Sequence, residues 1–419
     1  MDSGLSADAD VIVAGAGPAG AVAARTLAAS GFRTLLVDRA AFPRNKPCGG
    51  GVSTRALRRF PWLDQAIAGI DVHPIKKLHL EGPGGSAVDI RSDDPSVLLV
   101  RRVEFDHALV RGAVAAGATL VERFEITQAA SDASGVTFTA RDGRTLRAPR
   151  VVAADGVHSV TSKRLGVQPS WPEARLAIDM MEETPIETLA AAEPDVLWVA
   201  YAYQGLDGYA YIFPKTRHVN VGIGCLLPHF KREVDAAPYE LQQRFVGALV
   251  ASGALSGRSD RKQFTPFLIP IGGPLRPAYR GRVLFAGDAG GFVNAITAEG
   301  IYYAMVSGEL AGRALAIGRD RAVDAGPVYE RLWRTEIGTE LDDAVLFQRY
   351  LFSSHERVAR LVRGAAAAPA LVDLLLGYVT GAMSYGSLRR RVIFTFPGTI
   401  WRVARDKFNA RRASAPAQE

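Results

Sequence analysis

Cysteine is scarce in this sequence: only Cys48 and Cys225 carry a thiol among 419 residues. Two distant cysteines cannot build a disulfide framework, which excludes a disulfide-stapled secreted domain and favours a reducing, cytoplasmic location. The first ten residues are acidic and polar where a secretory signal needs a basic segment, so no such signal is expected. Apolar residues make up 48% of the chain and charged residues 22%, a balance typical of a globular protein.

Histidine is also rare, and its placement argues against a metal centre. His158, His218 and His229 do not follow the spacing of metal ligands, so no metal site is predicted. The net charge of +7 is modest, and basic residues gather near the C-terminus, at 389–391 and 402–412. Solvated helix faces explain such runs most simply, and an anionic membrane surface is the next alternative. Nucleic acid is not expected as a partner, because aromatic platforms and module signatures are missing.

Long uninterrupted apolar runs are absent too. The nearest candidate, residues 365–386, carries one charge, Asp373, and is about long enough to span a bilayer. Pro369, Gly377 and Gly381 interrupt it, so a true span is not expected. The leading interpretation is a buried helix pair, and the alternative is an in-plane contact with a membrane.

The N-terminal segment "VIVAGAGPAGAVAARTLAASGFRTLLVD" has the pattern of a βαβ unit. Residues 11–14 form a short apolar strand, residues 19–29 an alanine-rich helix closed by Gly31, and residues 34–38 a second strand. The sequence therefore predicts an α/β fold with a parallel sheet. Between residues 176 and 227, by contrast, aromatic and β-branched residues alternate, which is typical of an antiparallel sheet covered on one face.

A glycine fingerprint joins the first strand to the first helix. Gly15 permits the tight turn, Gly17 lets the backbone approach a pyrophosphate, and Gly20 allows close contact between helix and strand. Asp38 ends the next strand, where a carboxylate can bind ribose hydroxyls, and the helix N-terminus offers free amides to phosphates. The predicted nucleotide-binding residues of this unit are Gly15, Gly17, Ala19, Gly20, Asp38 and Arg39.

Two later motifs identify the nucleotide. "FAGDAGGFVNAITAEGI" places Gly287 and Asp288 after an apolar strand and Gly300 and Ile301 at a helix start, and "RVVAADG" ends a strand at Asp155. Together with the glycine fingerprint, these motifs resemble the para-hydroxybenzoate hydroxylase-like flavoprotein superfamily. The resemblance implies that these residues bind FAD and that the Asp-Gly turn lies near a transient NAD(P)H.

An arginine pair belongs to the same resemblance. "RRVEFDHAL" is similar to the superfamily's Arg-x-x-Phe-Asp pattern, whose arginine reaches the FAD. A guanidinium is an apt bidentate partner for a pyrophosphate. Arg102 is the predicted cofactor ligand, and Arg101 is the alternative.

The stretch "KPCGGGVS" puts Cys48 between a proline and three glycines, where a thiol has little to pack against. Together with "YAYIFPKTRHVNVGIG" and "GDAGGFVNAITAEGIYYAMVSGELAG", it resembles the geranylgeranyl reductase family over roughly residues 10–312. That family uses FAD to saturate prenyl double bonds of chlorophyll precursors, archaeal-type lipids or polyprenyl quinones. The resemblance implies that the Cys48 loop runs close to the isoalloxazine.

Three residues depart from the family pattern. Tyr211 stands where the family often has tryptophan, in a Tyr-x-Trp-x-Phe-Pro motif, and this change bears on the shape of the substrate pocket. Ala295 replaces a usual proline, and Ala298 a usual glycine before Glu299 and Gly300. The last two changes bear on the geometry beside the flavin.

The resemblance also implies a set of catalytic and substrate residues. Those predicted to be catalytic are Cys48, Gly49, Gly50 and Tyr211, and the loop glycines 49 and 50, like Cys48, are also placed against the cofactor. Those predicted to line the substrate sheet are Tyr209, Tyr211, Phe213, Pro214 and, beside them, Lys215. Cys48 is a candidate to gate the site or protonate the alkene, and the alternative is a small residue in a tight loop. Cys225, inside an apolar strand, is expected in the core.

The chain is predicted to have three structural units. A discontinuous FAD-binding Rossmann-like domain takes residues 1–75, 101–170 and 275–328. An inserted antiparallel-sheet substrate domain takes 76–100 and 171–274, and a helical C-terminal region takes 329–419.

The predicted function is FAD-dependent reduction of carbon–carbon double bonds in a prenyl or similar apolar substrate. The alternative is a monooxygenase, hydroxylase or halogenase on the same scaffold. Only one dinucleotide fingerprint is present, so the electron donor, NADPH or reduced ferredoxin, binds transiently. A hydrophobic or lipid substrate and peripheral membrane contact are the expected partners, and the oligomeric state is left open.

Overall fold

The computed structural model describes residues 8–321 and 324–395. The strands are β1 (Val11–Ala14), β2 (Thr34–Val37), β3 (Gly51–Ser53), β4 (Val72–Ile75), β5 (Lys77–Gly82), β6 (Ser86–Arg91), β7 (Val97–Val100), β8 (Thr119–Val121), β9 (Ile126–Ser131), β10 (Val136–Ala140), β11 (Thr145–Ala148), β12 (Arg150–Ala153), β13 (Leu176–Pro185), β14 (Leu189–Ala191), β15 (Val196–Tyr201), β16 (Gly208–Pro214), β17 (His218–Leu226), β18 (Leu255–Gly257), β19 (Phe264–Pro270), β20 (Tyr279–Arg280) and β21 (Val283–Phe285). The helices are α1 (Pro18–Ala29), α2 (Arg55–Arg59), α3 (Trp62–Ile67), α4 (Arg102–Ala115), α5 (Val160–Arg164), α6 (Leu227–Glu233), α7 (Pro238–Ala251), α8 (Ile301–Arg321), α9 (Ala325–Trp333), α10 (Thr339–Leu351), α11 (His355–Ala367), α12 (Pro369–Val379) and α13 (Tyr385–Thr395).

A parallel sheet organises the first unit, in the order β20-β21-β12-β1-β2-β8, with β20 alone running antiparallel. Its central strand β1 is fully buried, because helices cover the sheet and leave only apolar side chains between them. Helices α1 and α8 pack closely, since a Cβ on Gly308 would lie 2.1 Å from the carbonyl oxygen of Ala19. The βαβ prediction is confirmed, with the helix beginning at Pro18.

The carboxyl ends of the parallel strands carry the predicted nucleotide motifs. Gly15 follows β1, Asp38 follows β2, Asp155 follows β12 and Gly287 follows β21. These strands come from distant parts of the chain but are neighbours in one sheet. Their ends therefore meet along one edge, which is where open α/β sheets bind ligands.

A second, seven-stranded sheet has the order β19-β13-β17-β16-β15-β5-β6. It is mixed and not wholly antiparallel as predicted, because β5 enters from the earlier segment and pairs in parallel with β15. Smaller sheets are β11-β10-β9, β3-β7-β4 and β14-β18. The combination of a parallel sheet, a largely antiparallel sheet and C-terminal helices confirms the predicted fold class. The boundaries of the three units stay a prediction.

The apolar segment 365–386 forms the end of α11, all of α12 and the start of α13. The prediction of a buried helix pair is wrong for α12, which has no fully buried side chain. Its apolar residues Leu371, Val372, Leu375, Leu376 and Val379 line a cavity. Within the described residues, no single helix is long and apolar enough to cross a membrane; α11 and α12 pass that test only as a pair, bent by 97°. The basic run at 402–412 lies outside the described residues.

Candidate active site

A cavity of about 1250 Å³ lies between the carboxyl edge of the parallel sheet, the seven-stranded sheet and the C-terminal helices. It brings together most of the residues that the sequence predicted for the site. Those that line it are Gly15, Gly17, Ala19, Asp38, Arg39, Cys48, Gly49, Gly50, Arg102, Asp155, Tyr209, Tyr211, Phe213, Gly287, Asp288, Gly300 and Ile301. Their roles in binding stay predictions, but their convergence on one space is a property of the fold.

Three predicted residues lie outside the cavity wall. Gly20 packs against the glycine turn, since a Cβ there would lie 1.8 Å from the carbonyl oxygen of Gly15. Pro214 follows Phe213 at the end of β16, and successive strand residues face opposite sides of a sheet. Lys215 is buried beyond the strand end, where it forms an ion pair with Glu183. Pro214 and Lys215 therefore do not line this cavity, and their part in binding a substrate stays a prediction.

The glycine turn leaves open space where a pyrophosphate would lie. Gly17 caps the N-terminus of α1, and the nearest atom that a Cβ there would meet is 3.7 Å away, on Arg44. Gly15 has a φ of +95° and approaches the backbone of Ala154, which only glycine tolerates. Unpaired helix amides, a basic side chain and an open cradle fit a diphosphate.

Asp38 is held rigidly at the edge of this cradle. Its carboxylate accepts hydrogen bonds of 2.9 Å from the backbone nitrogens of Ala16 and Ala40. The side chain is almost fully buried, and Arg44 lies 3.8 Å from it. This placement suits an acceptor for ribose hydroxyls. Arg39, the next residue, is exposed at the cavity rim.

Asp155 holds its side chain in hydrogen bonds at the start of α5. The carboxylate accepts hydrogen bonds from the hydroxyl of Ser159 at 2.6 Å and the backbone nitrogen of Thr161 at 2.9 Å, at the start of α5. Burial raises the pKa of Asp155, although these hydrogen bonds oppose the shift. Asp155 and Gly156 both line the cavity.

Arg102 is buried and holds Asp106 through two hydrogen bonds of 2.7 and 2.8 Å. Asp106 also accepts a 2.9 Å hydrogen bond from Arg44. Burial opposes ionisation of Asp106, but the two guanidinium groups outweigh it and hold its pKa below the usual range. Arg101 instead contacts Glu183 at 3.4 Å, outside this cavity. The structure thus favours Arg102 over Arg101.

Arg44 and Lys46 are site residues that sequence reasoning missed. The Nζ of Lys46 lies 3.8 Å from Asp288 and 4.0 Å from the ring centre of Phe267. Burial lowers the pKa of Lys46, and Asp288 partly restores it. The signal that could have found them is "PRNKP", two basic residues just before the glycine-rich loop.

The three glycines after Cys48 are explained by close neighbours, the ring of Phe213 for Gly49 and Gly51 and the backbone of Val100 for Gly50. A Cβ on Gly49 would lie 2.9 Å from the ring of Phe213, and one on Gly50 would lie 2.0 Å from the carbonyl oxygen of Val100. The loop is further tied down by Asn220, which donates a 3.2 Å hydrogen bond to the carbonyl of Cys48. Cys48 is half-buried at the junction of the cofactor loops and the aromatic face. Cys225, in contrast, is buried in the core as predicted.

The aromatic face itself comes from alternate residues of β16. Tyr209, Tyr211 and Phe213 stand side by side, with ring centres 6.1 and 4.6 Å apart. The hydroxyl of Tyr209 donates a 2.7 Å hydrogen bond to the backbone of Thr297. The hydroxyl of Tyr211 donates to Asp179 on β13, at 3.1 Å, a partner that the sequence did not reveal.

Arg55 is a buried residue that sequence reasoning also missed. It donates hydrogen bonds to Glu299 at 2.9 Å and to Glu340 at 3.0 Å. It lies 3.8 Å from the ring centre of Tyr302 and bonds the hydroxyl of Tyr378 on α12. Arg55 thus joins Glu299, which precedes α8, to the C-terminal helices α10 and α12.

A family model described as an FAD binding domain matches residues 8–320. The chain belongs to this family of FAD-binding proteins. The site fits the cofactor, because the open glycine cradle, Asp38 and the basic residues lie along one wall. The protein is accordingly an FAD-dependent oxidoreductase, and its curated relatives include reductases.

Two curated relatives are similar over most of the chain. Menaquinone reductase of Mycolicibacterium smegmatis is 30% identical over 334 residues, covering 75% of this chain and 78% of that protein. Digeranylgeranylglycerophospholipid reductase of Methanocella arvoryzae is 29% identical over 356 residues, covering 81% and 86%.

Two solved structures share the fold. A geranylgeranyl bacteriochlorophyll reductase-like protein of Thermoplasma acidophilum matches with a TM-score of 0.77 at 19% identity, covering 94% of this chain and 98% of that one. A flavin-dependent brominase matches with a TM-score of 0.71 at 17% identity, covering 96% and 99%. The predicted resemblance to geranylgeranyl reductases is confirmed at the level of family and fold.

Proposed function

We propose that this oxidoreductase reduces carbon–carbon double bonds of a prenyl (geranylgeranyl-type) or similar apolar substrate. The observation that carries the proposal is the apolar continuation of the cavity beyond the cofactor loops. It runs between the aromatic face of β16 and helices α10 to α13. The helical side of this continuation includes Leu346, Phe347, Leu371, Val372, Leu375 and Leu376.

The names of the two relatives support a long apolar substrate. One is named for a menaquinone and the other for a digeranylgeranyl phospholipid. An extended apolar space that continues from the predicted cofactor site suits molecules of this kind, because the free energy falls when their apolar chains leave water. Which alkene is reduced is a matter for the experiment below.

FAD, when reduced, supplies a hydride to such a substrate. The chain's own residues bind, orient and exclude water: the aromatic face provides flat contact for an alkene, and the apolar helices keep the space dry. Cys48 lies where the cofactor loops meet this face. A proton must also reach the substrate from a residue in the wall.

We further propose that electrons arrive from NADPH or reduced ferredoxin that binds transiently. The basis is the sequence, which has one dinucleotide fingerprint and no second. Stopped-flow reduction of the oxidised enzyme by each donor in turn distinguishes them. The expected result is complete bleaching by one donor within seconds and negligible bleaching by the other.

A monooxygenase or halogenase is the second candidate, favoured by the shared fold of the brominase. The two candidates differ in whether the reduced enzyme needs oxygen. An alkene reductase transfers the electrons of its reduced flavin to the substrate without air, whereas in an oxygenase or halogenase those electrons pass to oxygen.

The test mixes photoreduced enzyme anaerobically with a panel of polyprenyl alcohols, quinones and lipids. The expected result is flavin reoxidation and a product that is about 2 mass units heavier for each double bond reduced, because one hydride and one proton add across that bond. Fully saturated analogues serve as the matched control and should leave the flavin reduced. Turnover that needs air, or air with halide, would replace the proposal by the second candidate.

A further inference from the structure

Asp179 is a buried carboxyl group in the cavity wall, between the aromatic face and Lys46. Its side chain is 9% exposed, and its hydrogen-bond partner is the hydroxyl of Tyr211, at 3.1 Å to one carboxyl oxygen and 3.5 Å to the other. Among the described residues, Asp179 forms no ion pair within 4 Å, since Lys46 lies against Asp288 instead. A buried carboxyl group without a cation favours its protonated form.

The sheet is built so that this pair can form. Tyr211 is on β16 and Asp179 is on β13, with β17 between them. Gly222 of β17 pairs with Tyr211, and a Cβ on Gly222 would lie 2.3 Å from the hydroxyl of that tyrosine. Gly224 pairs with Asp179. The two glycines let the tyrosine ring lie across the intervening strand and reach the carboxyl group.

The electrostatics agree with this geometry. Burial raises the pKa of Asp179 to about 7, with Tyr211 and Lys46 opposing the shift. Burial and Asp179 raise the pKa of Tyr211 well above its usual value. Tyr209 and Cys48 also face the pair. Tyr211 therefore carries its proton at neutral pH, and Asp179 is divided about equally there between its protonated and ionised forms.

Cys48 is less suited than Tyr211 to donate a proton to a substrate. Its Sγ accepts a 3.4 Å hydrogen bond from the backbone nitrogen of Gly50 and lies beside the Arg102 guanidinium. It is thus surrounded by donors, whereas Tyr211 has a partner that can replace its proton. Tyr211 also stands where the geranylgeranyl reductase family often has tryptophan, whose indole has no acidic hydroxyl.

We propose that Tyr211 and Asp179 together are the proton donor for the reaction in this cavity. The inference rests on the proposed function. When Asp179 is protonated it donates to the Tyr211 oxygen, which leaves the single Tyr211 hydroxyl hydrogen free for the alkene. One alkene carbon takes the hydride of the reduced cofactor, and the other takes that hydrogen as a proton as the π bond breaks. Asp179 returns a proton to Tyr211, ends as a carboxylate, and recovers its proton from water after the product leaves.

The test uses holoenzyme variants Tyr211→Phe and Asp179→Asn, with Tyr239→Phe as the matched control. Tyr239 packs on Phe264 and lies outside the cavity lining. Under anaerobic single turnover, both test variants should keep their FAD and be reduced at the wild-type rate. Substrate-driven flavin reoxidation should fall about 100-fold or more, the worth of a positioned acid. The control should match wild type.

A pH series separates proton donation from a packing effect. Wild-type reoxidation should slow as pH rises through about 7, the pKa of Asp179, and this dependence should vanish in Asp179→Asn. A second readout needs no substrate: the infrared band of protonated carboxyl groups should lose intensity between pH 6 and pH 8 in wild type as Asp179 ionises, and Asp179→Asn should lack that change.

The outcomes separate the two proposals. If wild-type enzyme reduces an alkene but both variants do so within threefold of its rate, the proton-donor inference is overturned. The same holds if the change of the infrared band with pH is unaltered by Asp179→Asn. If wild type reduces no alkene, the proposed function fails instead, whatever the infrared band shows. Should Asp179→Asn fail to fold, Tyr211→Phe alone decides the rate arm.

Discussion

Ala298 has a positive φ of 52°, a backbone conformation that favours glycine. It directly precedes Glu299 in the motif beside the cofactor, where the geranylgeranyl reductase family usually has glycine. A left-handed conformation costs a residue with a Cβ about 1–2 kcal/mol. The alanine at position 298 therefore strains the backbone of this motif.

Ala298→Gly should stabilise the protein for this reason. The relief of strain is partly offset by the greater freedom of glycine in the unfolded chain, so we expect a net gain of about 0.5–1 kcal/mol. Urea unfolding measures it. Ala295→Gly is the matched control: Ala295 is buried without a positive φ, and the change should destabilise. Equal effects of the two substitutions would contradict the strain at Ala298.

Asp179 should make stability depend on pH. Its folded-state pKa of about 7 lies above the ordinary value of 3.8. The contribution of its protonation to the free energy of unfolding is therefore fully present below about pH 4 and is lost as pH rises through 7. Relative to Asp179→Asn, wild type should lose about 2–3 kcal/mol of unfolding free energy between pH 5 and pH 8. Urea unfolding at both pH values checks this.

The control for that measurement is Asp94→Asn, at an exposed carboxylate. Its stability difference from wild type should stay the same across the pH range. If the difference in unfolding free energy between wild type and Asp179→Asn were also independent of pH, the pKa of Asp179 would not be raised and Asp179 could not supply a proton.

At the scale of elements, Arg55 connects α2 with α10, α12 and the segment before α8. It is 6% exposed, and its guanidinium satisfies two carboxylates, Glu299 and Glu340. Burial raises the pKa of Glu340, with Arg55 opposing the shift. The helices that wall the apolar part of the cavity are therefore anchored to the cofactor edge through one side chain.

Arg55→Met should destabilise the protein by about 3–5 kcal/mol, because it leaves buried carboxylates without their cation. Tyr378→Phe, which removes one hydroxyl of the same network, should cost about 1 kcal/mol. Urea unfolding measures both. Adding Glu340→Gln to Arg55→Met should recover part of the loss. An Arg55→Met protein as stable as Tyr378→Phe would show that the network has no anchoring role.

At the scale of the whole molecule, the C-terminal helices combine cavity-lining residues with exposed apolar side chains. Leu361 on α11 and Leu375 on α12 line the cavity and are also 47% and 38% exposed. Phe394 on α13 is 83% exposed, close in sequence to the basic residues 389–391. A lipid substrate resides in a bilayer, so we propose that this face contacts anionic membranes peripherally.

Wild-type protein should float with anionic vesicles at low salt and be partly released as salt rises, because basic residues add about 1 kcal/mol each near such a surface. Leu375→Glu should weaken this binding. Val114→Glu is the matched control, since Val114 is an exposed apolar residue on α4, outside this face. Wild-type protein that ignores anionic vesicles at low ionic strength would overturn the membrane contact and favour a carrier-delivered substrate.

The sequence by itself determined the parts of this protein whose physics is local. The βαβ unit follows from a short apolar strand, a glycine turn and an alanine-rich helix within 30 residues. Gly15 and Gly20 could be assigned from the sequence because the turn needs a positive φ at Gly15 and a Cβ on Gly20 would collide with the backbone of Gly15. The alternation of Tyr209, Tyr211 and Phe213 likewise shows that they share a face of one strand.

Only the tertiary structure decided which distant groups meet. Asp179 and Tyr211 are 32 residues apart and on strands that are not neighbours, so no spacing announces their hydrogen bond. Arg55 finds Glu340 across 285 residues. The apolar segment around α12 reads alike as core or as cavity wall, because both need the same side chains. Burial is a property of what packs against a residue, and that is set by the assembled fold.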